Sequence, residues 1–205
     1  MTMTIAGPDG KLRCRWCNAA PEFLPYHDSE WGFPVDDDRH LFEKLCLESF
    51  QSGLSWRTIL AKRENFRAAF HHFDFDKIAR YTQRDVDRLL ADAGIVRHRG
   101  KIEAVINNAQ RARELIDQEG SLAAFVWRYE RPAEPRAKAQ AVVSTSPESI
   151  ALSKALKARG WKFVGPTTVY SFMQAMGIVN DHADDCVIRA KAEQARKKLK
   201  RPGNR

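Results

Sequence analysis

The sequence lacks any long hydrophobic run. No apolar stretch approaches the roughly 20 residues that a membrane-spanning helix needs, and residues 1–15 have neither the basic start nor the apolar run of a signal peptide. We therefore expect a soluble, cytoplasmic protein with no membrane contact. Internal repeats are absent too, and with only 11 glycines and 9 prolines the chain is neither collagen-like nor of low complexity.

The composition that is present is typical of a globular domain. Hydrophobic residues make up 43% of the 205 residues and charged residues 29%, which excludes a disordered chain. Apolar residues recur at spacings of three and four, and strand-like alternation is rare, so we predict an all-α fold. One apolar stripe of a predicted helix consists of Leu41, Phe42, Leu45, Cys46 and Phe50, and the helix is predicted to end at Ser52 and Gly53.

Two helix starts and one loop divide the middle of the chain. Thr82 and Asp85 are spaced as a capping box, and Ser146 with Pro147 predicts an N-cap followed by a first-turn proline. Residues 131–146 have no helical periodicity and predict a loop that joins two helical lobes. We expect both lobes to belong to a single domain, residues 1–186.

Positive charge is concentrated at the C-terminal end. Residues 187–205 contain eight basic residues and one acidic residue, so they supply +7 of the formal net charge of +8. A basic segment of this kind indicates either contact with nucleic acid or a solvated, solubilising tail. We treat residues 187–205 as a basic tail outside the domain.

A turn between two predicted helices lies at residues 90–102, LADAGIVRHRGKI. One helix is predicted to end at Gly94 and a long helix to begin near Arg99, which is the shape of a helix-hairpin-helix. Amide N–H groups in such a turn bind a DNA phosphate. The alternative is an ordinary helical turn with exposed basic residues, but the local charge favours DNA. The candidate DNA-binding residues are Gly94, Arg97, Arg99, Gly100 and Lys101.

Two cysteines and two histidines form a possible zinc site. Cys14, His27, His182 and Cys186 would supply two thiolates and two imidazoles, a complete tetrahedral set. His182 and Cys186 are four residues apart and would share one face if their segment is helical. Cys17 complicates the assignment, because Cys14 and Cys17 also fit a redox pair or half of another zinc site. Four unrelated buried side chains are a further alternative.

Several aromatic residues lie near one acidic residue in the sequence. Glu48 with π faces around it would suit a flat, cationic ring, because the faces attract the cation and the carboxylate accepts its N–H groups. Filling of the core is the alternative. The aromatic residues are Trp16, Phe23, Tyr26, Trp31 and Trp56.

Six separate motifs together closely resemble those of the type I 3-methyladenine DNA glycosylases, in the order found in that family. The resemblance extends from about Arg13 to Cys186. It implies a monomeric, all-helical helix-hairpin-helix glycosylase with one structural zinc ion that ties the N- and C-terminal segments. The motifs are YHDSEWG (26–32), LE (47–48), QSGLSW (51–56), RHRGKI (97–102), KFVG (162–165) and VNDH (179–182).

The resemblance also implies roles for single residues. Glu48 would be the catalytic residue, with Trp31 as a supporting wall of the base pocket and Leu54 filling the gap left by an extracted nucleotide. Phe23 departs from the tyrosine expected near the pocket, and Cys17 has no family role. The implied base-binding residues are Trp16, Tyr26, Glu48 and Trp56, and the implied zinc ligands are Cys14, His27, His182 and Cys186.

The implied reaction is hydrolysis of the N-glycosidic bond of 3-methyladenine in alkylated duplex DNA. Free base and an abasic site are the products. An alkylated adenine is already cationic, so extracting and binding the base lowers most of the barrier without the aspartate that many related glycosylases use. Two other functions remain as alternatives: a non-catalytic helix-hairpin-helix module that binds nucleic acid, and a Cys-x-x-Cys oxidoreductase.

Overall fold

The computed structural model describes residues 3–131 and 143–203, and these residues are mostly helical. Most of the loop predicted at 131–146 therefore lies outside the described residues. Two short 3-10 helices, Arg15–Asn18 and His71–Phe73, accompany the α-helices. The described α-helices are α1 (Phe23–Ser29), α2 (Asp38–Gln51), α3 (Trp56–Ala61), α4 (Arg63–Ala69), α5 (Phe75–Ile78), α6 (Gln83–Ala91), α7 (Arg99–Glu119), α8 (Leu122–Trp127), α9 (Pro147–Ala158), α10 (Pro166–Ala175) and α11 (Arg189–Lys198).

Local sequence signals fix the helix starts. Thr82 and Asp85 form the predicted capping box at the start of α6, and Ser146 caps α9 with Pro147 in the first turn. His98 caps α7 by accepting a hydrogen bond from the Lys101 amide. The predicted caps at Thr82 and Ser146 are confirmed. A good cap stabilises a helix by about 1 kcal/mol, which explains why helices begin at these residues.

Helix α2 runs through the centre of the fold and packs against α7, α8 and α10. Every residue from 41 to 50 is buried, so the prediction of a single apolar stripe is wrong in extent. A helix enclosed on all sides is normally apolar all round, and its buried charges therefore need partners. Glu43 pairs with Arg67, and Lys44 pairs with Glu48.

Helix α7 is the longest described helix and supplies a second wall of the core. Its inward face consists of small and branched apolar residues, while its outer face is charged. None of the helices in residues 3–131 and 143–203 is both long and apolar enough to cross a bilayer. The fully buried residues of the inward face are Ile102, Ala104, Val105, Ala109, Ala112 and Leu115.

The N-terminal residues form a small sheet, which corrects the all-α prediction. Strand β1 (Thr4–Ala6) pairs antiparallel with β2 (Leu12–Cys14), and Thr4 lies opposite Cys14. Each strand has three residues, too few to show alternation in the sequence. The sheet carries Cys14 at the end of β2. The amide of Val187 donates to the carbonyl of Leu12, which joins the sheet to the segment that carries Cys186.

The basic C-terminal segment is not a solvated tail over its helical part. The side chain of Arg196, on α11, is 4% exposed and donates to Glu130 and to the carbonyl of Ile178. Arg201 pairs with the same Glu130 and lies over the Trp127 ring. Part of the positive charge at this end is thus neutralised inside the protein.

Candidate functional site

Four side chains from the two ends of the chain meet in one buried cluster. The metal-ligating atoms of Cys14, His27, His182 and Cys186 all lie within 4.8 Å of one another. His27 Nε2 is 3.2 Å from His182 Nδ1, and the sulfur–nitrogen distances are 3.5, 3.6 and 3.7 Å. A tetrahedral zinc ion with bonds of about 2.0–2.3 Å holds its ligand atoms about 3.3–3.8 Å apart. Four of the separations, between 3.2 and 3.7 Å, are close to this spacing, so the donor set and the approximate size of the cluster suit a tetrahedral metal such as zinc.

The second nitrogen of each imidazole also has a partner. His27 Nδ1 is 2.7 Å from Asp28 Oδ1, and His182 Nε2 is 3.0 Å from the carbonyl oxygen of Trp31. Each partner accepts an N–H, which fixes the tautomer and leaves His27 Nε2 and His182 Nδ1 with lone pairs directed into the cluster. Arg13 in turn holds Asp28 through a hydrogen bond of 2.9 Å.

The segment that carries His182 and Cys186 is an irregular turn, not the helix considered for their spacing. The two side chains meet nonetheless, because Trp31 and the β1–β2 sheet pack against the turn. Gly32 is required beside it: its φ is +84°, and a Cβ there would lie 2.8 Å from His182 Nε2.

The two thiols of the cluster differ in acidity. Hydrogen bonds from Cys14 and from both imidazoles hold the pKa of the Cys186 thiol well below its usual range. The adjacent sulfur of Cys186 and burial raise the pKa of Cys14. Cys17 is buried but is not among the four clustered residues, and neither Cys14 nor Cys17 forms a disulfide. Cys14 is thus grouped with His27, His182 and Cys186 and not with Cys17.

A second cluster brings together three of the predicted pocket residues around a lysine. Lys44 Nζ donates to Glu48 Oε1 and to Tyr26 Oη, each at 2.8 Å. The same nitrogen lies 3.4 Å from the centroid of the Trp56 ring. We call Tyr26, Glu48 and Trp56 the cage. Burial lowers the pKa of Lys44, against the opposing effect of Glu48, and burial raises that of Tyr26.

The cage opens into a small cavity of about 120 Å³. Tyr26, Lys44 and Trp56 line the cavity. Glu48 is not among the lining residues, but it pairs with Lys44, which is. The indole N–H of Trp56 is buried and has no hydrogen-bond partner among the described residues, so it is a donor available to a ligand.

Trp16 connects the cage to the metal cluster. Its ring contacts those of Tyr26, at 6.3 Å between centroids, and His27, at 5.3 Å. Trp31 packs edge-on against both Trp16 and His182, in agreement with a framework position. Phe23 contacts Trp16 at 5.9 Å. Trp16 is not among the residues that line the cavity.

Leu54 lies at the tip of the turn that joins α2 to α3. This turn follows the second α-helix of the chain, and Gly53 in it has a φ of +78°. Leu54 is 43% exposed, so its side chain is accessible at the surface of the turn. Lys101 reaches this turn from α7, and its Nζ donates to the carbonyls of Phe50 at 2.9 Å and Ser52 at 2.5 Å.

Residues 92–98 form a turn between α6 and α7 at the predicted position, and two of the predicted DNA-binding residues are engaged by other groups of the protein. The Gly94 amide donates to Asp92 at 2.7 Å, so it is not directed at solvent. Lys101 is 7% exposed and is bound to the carbonyls described above. Arg97 and Arg99 are exposed, and helix geometry leaves the amides of Arg99 and Gly100 directed out of the first turn.

Phe163 lies beside this hairpin and had no predicted role. Its φ is +56°, a strained value for a phenylalanine, and its side chain is 41% exposed. Its neighbours are held by buried polar side chains: Asn108 bonds Lys162 at both amide and carbonyl, and Ser153 donates to Val164. The KFVG motif was the only sequence signal.

Lys44 was also missed, although the sequence contained a signal for it. A lysine four residues before a glutamate, inside a helix buried on all sides, has to pair with that glutamate. The predicted stripe of Leu41, Phe42, Leu45, Cys46 and Phe50 did not include position 44.

Enzymes that act on a base taken out of DNA hold it in a pocket between aromatic or apolar side chains, and the cage of this mostly helical fold has that composition. The chain belongs to one family of this class: the model of the methyladenine glycosylase family matches residues 16–190. The resemblance stated from the motifs is thereby confirmed.

Individual relatives agree with this assignment. The chain is 52% identical over 178 residues to DNA-3-methyladenine glycosylase 1 of Escherichia coli, covering 85% of this chain and 95% of that protein. It is 45% identical to DNA-3-methyladenine glycosylase of Haemophilus influenzae, with coverage of 85% and 96%. The crystal structure of a 3-methyladenine DNA glycosylase I superposes with a TM-score of 0.80 at 50% identity, covering 85% of this chain and 98% of that one.

Proposed function

We propose that this protein hydrolyses the N-glycosidic bond of 3-methyladenine in alkylated duplex DNA, releasing the free base and leaving an abasic site. One observation carries the proposal: the cage surrounds a positive charge with a carboxylate and two aromatic faces. The relatives of known name support the substrate, since a Staphylococcus aureus structure, 40% identical over 83% of this chain with a TM-score of 0.77, is described as the basis of 3-methyladenine recognition.

The chemistry of the cage suits a cationic base. Alkylation at N3 gives the adenine in DNA a positive charge, which the faces of Tyr26 and Trp56 attract. Glu48 accepts N–H groups at the edge of the base, and the unpartnered Trp56 N–H donates to a ring nitrogen or other acceptor. Trp16 supports Tyr26 from behind through its edge contact.

The positive charge of the alkylated base weakens the bond, so cleavage needs less help from the protein than cleavage from neutral adenine would. The C1′–N9 bond breaks with its electron pair going to the base, so the cation becomes a neutral leaving group. Water adds its oxygen to C1′ and loses a proton. Glu48 is the carboxylate that pairs with the cation held in the cage, and we assign it the role of stabilising positive charge and orienting water. Neutral adenine is a poor leaving group and is excluded by this chemistry.

DNA binding is assigned to the face that carries Leu54 and the start of α7. Leu54 fills the space of the extracted nucleotide, and the amides of Arg99 and Gly100 bind a phosphate with the charges of Arg97 and Arg99. Lys101 positions the Leu54 turn instead of contacting phosphate, since its ammonium is bound to carbonyls. Gly94 allows the close approach of the turn to Asn65 on α4.

The zinc ligands are Cys14, His27, His182 and Cys186, and the ion they would hold is structural. A closed set of four protein ligands supplies binding energy to folding and leaves no position for substrate. The site ties the β1–β2 sheet to the turn before α11, and it lies behind Trp16, on which Tyr26 packs. The chain is expected to act as a monomer.

The direct test is release of free base from methylated duplex DNA, separated by chromatography, with unmethylated DNA as the control. Selective release of 3-methyladenine is expected. A folded, zinc-loaded sample that binds DNA and releases no base would contradict the proposal and favour a non-catalytic DNA-binding module. Quenching of tryptophan fluorescence by free 3-methyladenine separates the two, because only a base-binding cage responds.

A further inference from the structure

The ammonium group of Lys44 lies inside the cage that is proposed to bind the base. It donates hydrogen bonds to Tyr26 Oη and Glu48 Oε1 and lies 3.4 Å from the centroid of the Trp56 ring. The Lys44 side chain is 6% exposed, so these three groups take the place of water around the charge. This is the arrangement in which an aromatic face binds a cation most strongly.

The ammonium of Lys44 occupies the face of Trp56 on which a base would stack, because its Nζ lies 3.4 Å from that ring centroid and 5.2 Å from the centroid of Tyr26. The centroids of Tyr26 and Trp56 are 5.5 Å apart, and the ring planes are inclined at 42°. A planar base in contact with both faces, at carbon–carbon distances of about 3.5 Å, separates them by about 7 Å. A base can take this place only if the ammonium leaves, and it can contact both faces only if the rings also separate.

We propose that Lys44 is a resident cation of the cage, which an alkylated base displaces when it enters. This inference rests on the proposed function and adds a residue outside the recognised motifs to the site. Exchange of one cation for another leaves the Glu48 carboxylate paired before and after entry.

The surroundings of Lys44 offer the displaced ammonium another position. Glu30 and Glu43 line the same cavity and already pair with Arg63 and Arg67, respectively. The side chain of Glu30 is 36% exposed, so it lies toward solvent. A lysine side chain that rotates out of the cage therefore meets carboxylates and water, and its charge stays solvated.

Removal of the resident cation tests the inference. In Lys44→Met the chain keeps a long, flexible side chain without charge, and we expect free 3-methyladenine to bind about tenfold more tightly because no ammonium has to be displaced. Adenine should also gain affinity. Binding is measured by quenching of tryptophan fluorescence in zinc-loaded protein, after circular dichroism and thermal unfolding have verified the fold.

Two control variants separate the effect of removing the charge in the cage from the effect of changing a lysine side chain. Lys44→Arg retains a cation in the cage and should bind 3-methyladenine no more tightly than the wild type. Lys77→Met changes an exposed lysine on α5, far from the cage, and should leave binding unchanged. Equal or weaker binding by Lys44→Met would overturn the inference, since it would mean that Lys44 contributes to holding the base.

A second measurement uses the wild-type protein alone. Lys44 should be protected from an acylating reagent in the free protein and should react faster when 3-methyladenine saturates the pocket, as detected by peptide mass spectrometry. Lys101, the other buried lysine described above, is an internal reference and should stay protected in both samples. Protection of Lys44 that is unchanged by the base would contradict displacement.

Failure of this inference can be told from failure of the proposed function. Wild-type protein that releases no base from methylated DNA contradicts the proposed function itself. Wild-type protein that releases 3-methyladenine, combined with a Lys44→Met variant that binds the base no more tightly, contradicts only the role given to Lys44.

Discussion

Lys101 on α7 donates a hydrogen bond to the carbonyl oxygen of Ser52, 2.5 Å away, at the end of α2. This bond joins two elements that sequence motifs treat as separate: the hairpin before α7 and the turn that carries Leu54. The last carbonyls of a helix lack partners within the helix, and a lysine that reaches them stabilises the end. A single buried ammonium thus links the turn that carries Leu54 to the start of α7.

Lys101→Met should destabilise the protein by about 1–3 kcal/mol, because it leaves buried carbonyl oxygens without a donor. It should also weaken binding to duplex DNA by displacing the Leu54 turn. The slope of log affinity against log salt concentration should not change, since Lys101 neutralises no phosphate. Fluorescence anisotropy at several salt concentrations measures both quantities.

Arg99→Ala is the matched comparison on the same helix. The Arg99 side chain is half exposed, so its loss should leave stability nearly unchanged and reduce the salt slope by about 1. If Lys101→Met reduces the slope by the same amount, Lys101 contacts phosphate in the complex and the role given to it here is wrong.

Leu54→Ala should separate DNA binding from base binding. The side chain is largely exposed, so thermal stability should change by no more than about 0.5 kcal/mol. Excision from duplex DNA should fall because the space of the extracted nucleotide is no longer filled, whereas binding of free 3-methyladenine should stay at the wild-type value. A parallel loss of free-base binding would place Leu54 in the cage and not at the DNA surface.

The helices could be predicted from sequence because their caps and periodicity are local. Thr82, Asp85 and Ser146 lie within a few residues of the amides they bind, so no tertiary information is needed. The sheet of three-residue strands could not be predicted, since its stability depends on Cys14 and Val187, which are distant in sequence.

The site was predictable in its residue types but not in its contacts. The motifs grouped Trp16, Tyr26, Glu48 and Trp56; the structure brings the last three together around Lys44, whereas Trp16 contacts Tyr26 and does not line the cavity. The motifs did not distinguish exposed from buried charge, so Lys101 was interpreted as a phosphate ligand and Lys44 was overlooked. Lys101 is bound by carbonyls at the end of α2, and Lys44 is bound by Glu48 on the same helix and by Tyr26 on α1. Both lysines are buried because other helices pack over them, and the sequence alone does not show this packing.

Cys186→Ser should remove zinc and lower thermal stability. A hydroxyl is a poor replacement for a thiolate ligand, and the remaining three residues cannot close the tetrahedral set. We expect about one zinc ion per wild-type chain by atomic absorption, in line with a single four-ligand site, and much less in the variant. Excision per folded molecule should change little, because the cluster is behind Trp16. Wild-type protein that contains no zinc would contradict this structural role.

Glu48→Gln should lower excision of 3-methyladenine by about 100-fold per folded molecule, because the amide no longer stabilises positive charge at the sugar and base. Glutamine is a better choice than alanine here, since it can still accept the hydrogen bond from Lys44. The variant should nevertheless be less stable, because the buried ammonium loses its counter-charge. Glu64→Gln, on the exposed face of α4, is the control and should behave as the wild type.

The double variant Lys44→Met with Glu48→Gln should recover part of the lost stability without recovering excision, because removing both members of a buried ion pair costs less than removing one. Undiminished excision by Glu48→Gln would exclude the carboxylate from the reaction.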